Sequence, residues 1–163
     1  MYKKGGYASY DYVYENGRCV ETRYYDEKKN LVLRSDENYA IQKEKFDTLG
    51  RCILSSYFDT ENKPIMNTRY CCSTFEYRYD ELGNETDIIY RNTDGNVMVR
   101  EDLGYAWIER KYDEWGRIVL EKYYDAEKNP TTDRNGYAEI RYEYGKWGIS
   151  KTKYFDLNGV EVY

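Results

Sequence analysis

The chain contains no histidine. A serine or cysteine nucleophile therefore lacks its commonest general base. The four cysteines show no Cys-x-x-Cys spacing, so a zinc site is not expected either. Proline is nearly absent, at two residues, and phenylalanine numbers four. No stretch approaches the ~18 consecutive apolar residues of a membrane-spanning helix, so membrane insertion is not expected. The opening "MYKKGGYASY" has positive charge but no apolar core, and no signal peptide is legible in it. Localisation stays open on these grounds. Basic blocks are missing too: 25 basic and 30 acidic residues are mixed along the chain, for a net charge of −5. A nucleic-acid partner is unsupported, because even single-strand binders that stack bases on aromatics need a positive groove.

Catalytic signatures are equally scarce. There is no Gly-x-Ser-x-Gly, and "GKWGISK" lacks the spacing of a phosphate-cradling loop. Asp47, Asp80 and Asp113 sit where turns open and recur with the chain's own period, which argues for turn formation rather than acid–base chemistry. No spacing singles out a pair of carboxylates of the glycosidase kind. "NTDGN", Asn92 to Asn96, lacks the downstream ligands of a calcium loop and reads as a β-turn. The chain reads as non-catalytic, with no cofactor and no metal.

What the chain has is tyrosine, 22 residues of it, arranged periodically. Tyr-Ala pairs stand at Tyr7-Ala8, Tyr39-Ala40, Tyr105-Ala106 and Tyr137-Ala138, with "CCSTFEYRYDELGN" midway in the long gap. An aromatic follows each start, at Tyr14, Phe46, Tyr79, Tyr112 and Tyr144, and then a turn ending in glycine at Gly17, Gly50, Gly83, Gly116 and Gly148. A second aromatic column follows at Tyr24, Tyr57, Tyr90, Tyr123 and Tyr154. Pro64 and Pro130 fall equally far beyond Tyr57 and Tyr123. Self-similarity of this kind marks a repeat architecture. The expected organisation is one domain over 1–163, built from approximate repeats 6–37, 38–70, 71–103, 104–135 and a shortened 136–163.

Each repeat reads as strand, tight turn, strand and looser turn. In "YAEIRYEY" Ala138, Ile140, Tyr142 and Tyr144 alternate with Tyr137, Glu139, Arg141 and Glu143, the period-two pattern of a half-buried strand. The fold class is therefore all-β: a tandem array of about five 32–33-residue hairpin repeats, either an extended sheet or a β-solenoid. No unit buries its face alone. The second tyrosine column is expected to form a ladder along the array. In a solenoid Cys19 and Cys52 would lie about 4.8 Å apart and within disulfide reach, whereas in a hairpin sheet they would be about twice as far apart. Cys71 and Cys72, adjacent in a strand, would point to opposite faces and not pair.

The candidate binding residues are those that break the repeat symmetry. Trp115 and Trp147 occupy the turn position just before glycine, where Leu49 and Leu82 stand in other repeats. Trp107 lies on the strand face of Tyr105 and Glu109, opposite the more apolar side. Flat exposed aromatics stack on sugar rings and quaternary ammonium groups. This makes Trp107, Trp115 and Trp147, with Tyr105 and Tyr137, the candidate ligand-binding set.

"FEYRYDELGN", "RKYDEWGRIV" and "EKFDTLGRCI" resemble the YD repeats of RHS-type shell proteins. That resemblance covers the first hairpin of each repeat and implies a bacterial β-sheet scaffold. "SYFDTENKPI" and "KYFDLNGVEVY" resemble the turns of bacterial choline- and glucan-binding cell-wall repeats, which implies aromatic ligand sites in a non-catalytic anchor. Together they imply a bacterial tandem-repeat module, extracellular or at the cell surface if it is a segment of a longer protein. The expected partner is a glycan or cell-wall polymer held on the Tyr/Trp surface. The alternative is a protein partner docked along the sheet, as on a scaffold or an immunity-like protein. The chain starts in phase with a repeat and stops within one, and edge-to-edge self-association is expected where capping units are lacking.

Overall fold

The computed structural model describes residues 5–162. The first four residues, on which the reading of a leader partly rests, and Tyr163 lie outside the described residues. The fold is all-β, and no helix occurs among the described residues. None is therefore long and apolar enough to cross a membrane. The strands are β1 (Ser9–Glu15), β2 (Arg18–Tyr25), β3 (Ile41–Phe46), β4 (Cys52–Phe58) and β5 (Thr74–Tyr79), then β6 (Glu85–Arg91), β7 (Trp107–Tyr112), β8 (Ile118–Tyr124), β9 (Glu139–Gly145) and β10 (Gly148–Phe155). They lie in chain order in one open antiparallel sheet. This antiparallel order sets the solenoid aside in favour of the sheet. The chain divides into two compact units, one running through Glu76 and taking in Arg91–Asn96, the other formed by Tyr77–Tyr90 with Val97 onward.

Aspartate closes the turns by one recurring device. At Asp47 the carboxylate accepts the backbone N–H groups of Leu49 and Arg51, both at 2.9 Å, while Gly50 N–H donates to the Asp47 carbonyl. Asp113 does the same for Trp115 and Arg117. The fourth residue of such a turn must take a left-handed backbone, and Gly50 and Gly116 supply it with φ of 83° and 73°. Asn92 substitutes for aspartate and accepts the N–H groups of Asp94 and Asn96, so "NTDGN" is a turn. The looser loops return to their own strand through single bridges, Phe58 to Pro64 and Tyr124 to Pro130. Proline suits a position where no ladder N–H is required.

The core of the first unit is aromatic. Tyr24 and Tyr57 stand two strands apart, roughly 10 Å by strand spacing, too far for ring contact. Tyr39, carried in front of β3 by the loop, fills the gap, with its ring 5.7 Å from Tyr24 and 4.7 Å from Tyr57. Arg34 covers Tyr24 and Tyr39, donating to their hydroxyls at 3.2 and 2.9 Å and forming a bidentate pair with Asp36. In the second unit Tyr105 fills the same role, stacked 4.5 Å from Tyr123 and 6.1 Å from Tyr90. Arg100, paired with Asp102, lies over Tyr90. Within each unit a pair of column tyrosines is thus joined through a Tyr-Ala tyrosine, Tyr39 in the first and Tyr105 in the second, rather than by direct ring contact.

The four cysteines are free thiols. Cys19 and Cys52, at the starts of β2 and β4, are separated by β3 and out of bridging range. Cys71 and Cys72 precede β5 rather than lie in it. Cys72 is fully buried and bridges Asn67, and Cys71 takes a left-handed backbone with φ of 50°.

Two kinds of titrating group bracket the stability. Backbone N–H groups of Asn30, Arg51 and Val160 hold the carboxyls of Asp26, Asp47 and Asp156 below their usual value. Their contribution is present above the unfolded value of 3.8 and is lost as pH falls through the lower folded values. Burial pushes the phenols of Tyr39, Tyr57, Tyr105 and Tyr123 upward. Their contribution is complete below the unfolded value of 10.0 and is lost as pH rises above it. Urea midpoints should therefore stay level across neutral pH and fall below about pH 4 and above about pH 10. A transition centred near pH 6 would contradict this assignment.

Candidate functional site

The tips of the tight hairpins expose apolar side chains at one turn position. In the second unit these are Leu82, Trp115 and Trp147, at 82, 69 and 91% exposure. The turns that carry Trp115 and Trp147 emerge from neighbouring hairpins at the same end of the sheet, because β8 pairs with β9. Strand spacing puts successive tips on the order of 10 Å apart. Leu49 holds the corresponding turn position in the first unit and is also exposed.

Trp115 is held by its own turn. Arg117 bonds the Asp113 carboxylate through Nε at 2.8 Å, and its guanidinium lies 4.6 Å from the Trp115 ring and 4.3 Å from the Tyr144 ring. Tyr144 in turn donates its hydroxyl to the Ile118 carbonyl at 2.8 Å. One face of the indole thus rests on a fixed cation while most of the ring remains in water. Trp147 sits in the two-residue turn between Gly145 and Gly148, with Lys146 Nζ 4.8 Å from its ring. In the Trp115 turn the polar groups are turned inward: Asp113 accepts two backbone N–H groups and a guanidinium.

The other expected site residues lie elsewhere. Trp107 is buried, at 8% exposure, and is not the open surface ring that its strand face suggests. Its Nε1 donates to Asp87 at 2.7 Å, and Arg78 and Lys128 lie over its ring at 4.8 and 4.0 Å. Long cationic side chains cover aromatic faces well, since their aliphatic stems pack while the charge reaches water. Tyr105 is buried in the core, and Tyr137 packs on Tyr154 with ring centroids 4.5 Å apart. Of the five residues, Trp115 and Trp147 share the exposed turn row, and Trp107, Tyr105 and Tyr137 do not.

The exposed tip leucines and Arg117 were not singled out from the sequence. Leu82 carried a signal, since it shares its turn position with Trp115. Arg117 carried none, because its role depends on Tyr144 arriving from the next hairpin. A shallow groove of about 300 Å³ lies elsewhere in the second unit, against Tyr124, Pro130, Phe155 and Arg141. Its charged wall is self-paired, Lys122 with Glu139 at 3.0 Å, and Arg141 covers Phe155 at 4.1 Å. The recurring carboxylates at positions 47, 80 and 113 are each engaged by backbone N–H groups of their own turns. No protein-family model matches the chain, and no curated protein matches it.

Proposed function

We propose that the chain is a non-catalytic interaction module whose apolar hairpin tips dock a protein partner. The observation that carries this reading is the row of Leu82, Trp115 and Trp147, each more than two-thirds exposed at one turn position. Large apolar side chains exposed on successive hairpin tips suit an interaction surface, and tryptophan is enriched at binding hot spots. Leucine has no flat face for a sugar ring, and the Asp113 carboxylate beside Trp115 is already satisfied. Both features suit an apolar protein groove better than a set of hydroxyls. The module reads as about five hairpin repeats of 32–33 residues. Equivalent aspartate turns and the matching proline bridges support that reading, as does the resemblance to YD scaffold repeats.

A second reading is a glycan or cell-wall ligand, favoured by the Trp147 ring, which is 91% exposed, and by the immobilised Trp115 indole. Both readings expect Trp115→Ala and Trp147→Ala to leave stability within about 0.5 kcal/mol, as exposed substitutions do. Both expect these variants to lose binding. Tryptophan fluorescence titrated with cell-wall polymers, simple glycans and choline separates them. A saturable shift lost in Trp147→Ala establishes the second reading. A flat titration, together with a protein crosslinked to the wild type and absent from Trp115→Ala and Trp147→Ala, supports the first. Undiminished binding by both variants overturns both.

A further inference from the structure

Strands β1 and β10 are the outer strands of the sheet, and no strand lies on their outer sides among the described residues. The junctions between successive hairpins follow one geometry. The N–H of the column tyrosine donates to the carbonyl just before the next strand: Tyr24 to Ala40, Tyr57 to Ser73 and Tyr90 to Ala106 at 3.0 Å, and Tyr123 to Ala138 at 3.3 Å. The three residues before each tyrosine then pair with the first three of that strand. Glu21, Thr22 and Arg23 face Lys43, Gln42 and Ile41, and Leu120, Glu121 and Lys122 face Arg141, Ile140 and Glu139. The same three-residue register joins β4 to β5 and β6 to β7.

β10 and β1 carry the two halves of this junction. Tyr154 holds the tyrosine position on β10, and Ala8 holds the carbonyl position ahead of β1. Applied to them, the register places the Tyr154 N–H on the Ala8 carbonyl, with Lys153, Thr152 and Lys151 opposite Ser9, Tyr10 and Asp11. We propose that β10 of one molecule adds to β1 of a second copy in this register, head to tail.

Two side-chain features fit the pairing. Lys151 and Asp11 would be opposite charges on one face of the sheet, as are Lys43 and Glu21, at 3.8 Å, and Lys122 and Glu139, at 3.0 Å, at the inner junctions. The last aromatic of an inner strand also reaches back across its junction. Tyr112 donates its hydroxyl to the Glu85 carbonyl at 2.7 Å, and Tyr144 donates to the Ile118 carbonyl at 2.8 Å. Tyr14 holds that rung on β1 and is 61% exposed. In the pairing its hydroxyl meets the Ile149 carbonyl of the second copy, which occupies the position of Glu85 and Ile118. A head-to-tail contact leaves a free β1 and a free β10 on every open assembly, so association should grow with concentration beyond a dimer.

Sedimentation velocity over a concentration series tests this. The wild type should show a weight-average sedimentation coefficient that rises with concentration. Thr152→Pro should remain monomeric. Its lost N–H points outward, as that of Tyr154 does, and proline is tolerated on an exposed strand edge. Asp11→Lys and Lys151→Asp should each weaken association about tenfold, and the double exchange should restore it. Tyr14→Phe should weaken it about threefold. Circular dichroism of each variant checks that the sheet is retained. A wild type that stays monomeric throughout overturns the proposal, as do a Thr152→Pro variant that associates normally and a double exchange without recovery. Association abolished by Trp147→Ala but untouched at β1 and β10 would place it at the hairpin tips, and would also overturn it.

Discussion

Replacing Tyr39 with alanine should be among the most damaging single changes in the first unit, costing about 4 kcal/mol. Large-to-small changes at buried aromatics cost roughly 3–5 kcal/mol, and Tyr39 is only 2% exposed. Three effects combine. The ring that bridges Tyr24 and Tyr57 is lost, and those two stand too far apart to close the gap themselves. The Arg34 guanidinium, 5.2 Å from the Tyr39 ring, loses part of its support. The hydroxyl that accepts from Arg34 at 2.9 Å and lies 3.4 Å from Gln42 is removed. Tyr39→Phe removes only the last of these and should cost about 1 kcal/mol. Since whole domains are stable by about 5–15 kcal/mol, urea unfolding should show Tyr39→Ala as a large drop in midpoint and Tyr39→Phe as a small one. Equal drops would mean that the hydroxyl, not the ring, holds the site. No drop in either would mean that Tyr39 is no keystone of the core.

The difference between Tyr39 and Tyr142 shows what the sequence could disclose. Tyr142 and Tyr144 alternate with Glu143 along β9, and their face follows from local periodicity alone. The aspartate turns are legible for the same reason: Asp47 and Gly50 lie within one turn, and their bonds are short-range. Tyr39 lies outside any strand, and its burial depends on a loop folding back between two residues 15 and 18 positions away, which no local pattern encodes. Arg34 and Arg100 are invisible in the same way. An arginine in a polar loop reads as solvated surface, yet Arg34 covers Tyr24 and Tyr39 and pairs with Glu37, and the Glu37 carboxylate accepts from Asn67 at 3.2 Å.

Among the candidate site residues the distinction is again local against distant. Trp115 and Trp147 occupy turn tips, which project from a hairpin whatever packs around them, so their exposure was readable. Strand alternation puts Tyr105 and Tyr137 on the polar faces of Glu109 and Glu139, but both precede their strands, so the alternation does not reach them and their rings pack on Tyr123 and Tyr154. Strand periodicity puts Trp107 on the face of Glu109, but not with Tyr105 as the sequence suggests: Tyr105 stacks on Tyr123, whereas Trp107 packs on Tyr124, which points to the opposite face of β8. Its burial comes from Arg78 on another strand and Lys128 in a later loop, and neither is adjacent in sequence.

That burial yields the second large effect. Trp107→Ala should cost about 3–5 kcal/mol, whereas Trp115→Ala and Trp147→Ala should cost almost nothing. The indole fills a site bounded by Tyr124, at 6.3 Å, and by the two cations over its ring. Truncation leaves Arg78 and Lys128 facing a void rather than a ring, and leaves the Asp87 carboxylate without its indole donor. Trp107→Phe keeps an aromatic face for the cations but removes the indole donor to Asp87 Oδ1, leaving Thr86 on Oδ2, so its cost should be about 1–2 kcal/mol. Emission provides an independent reading. Acrylamide should quench Trp115 and Trp147 readily and Trp107 poorly. A double variant lacking the two tip tryptophans should retain a blue-shifted, protected signal that disappears with unfolding. If that remaining signal is quenched as readily as free tryptophan, Trp107 is open to solvent, and it rejoins the candidate binding surface.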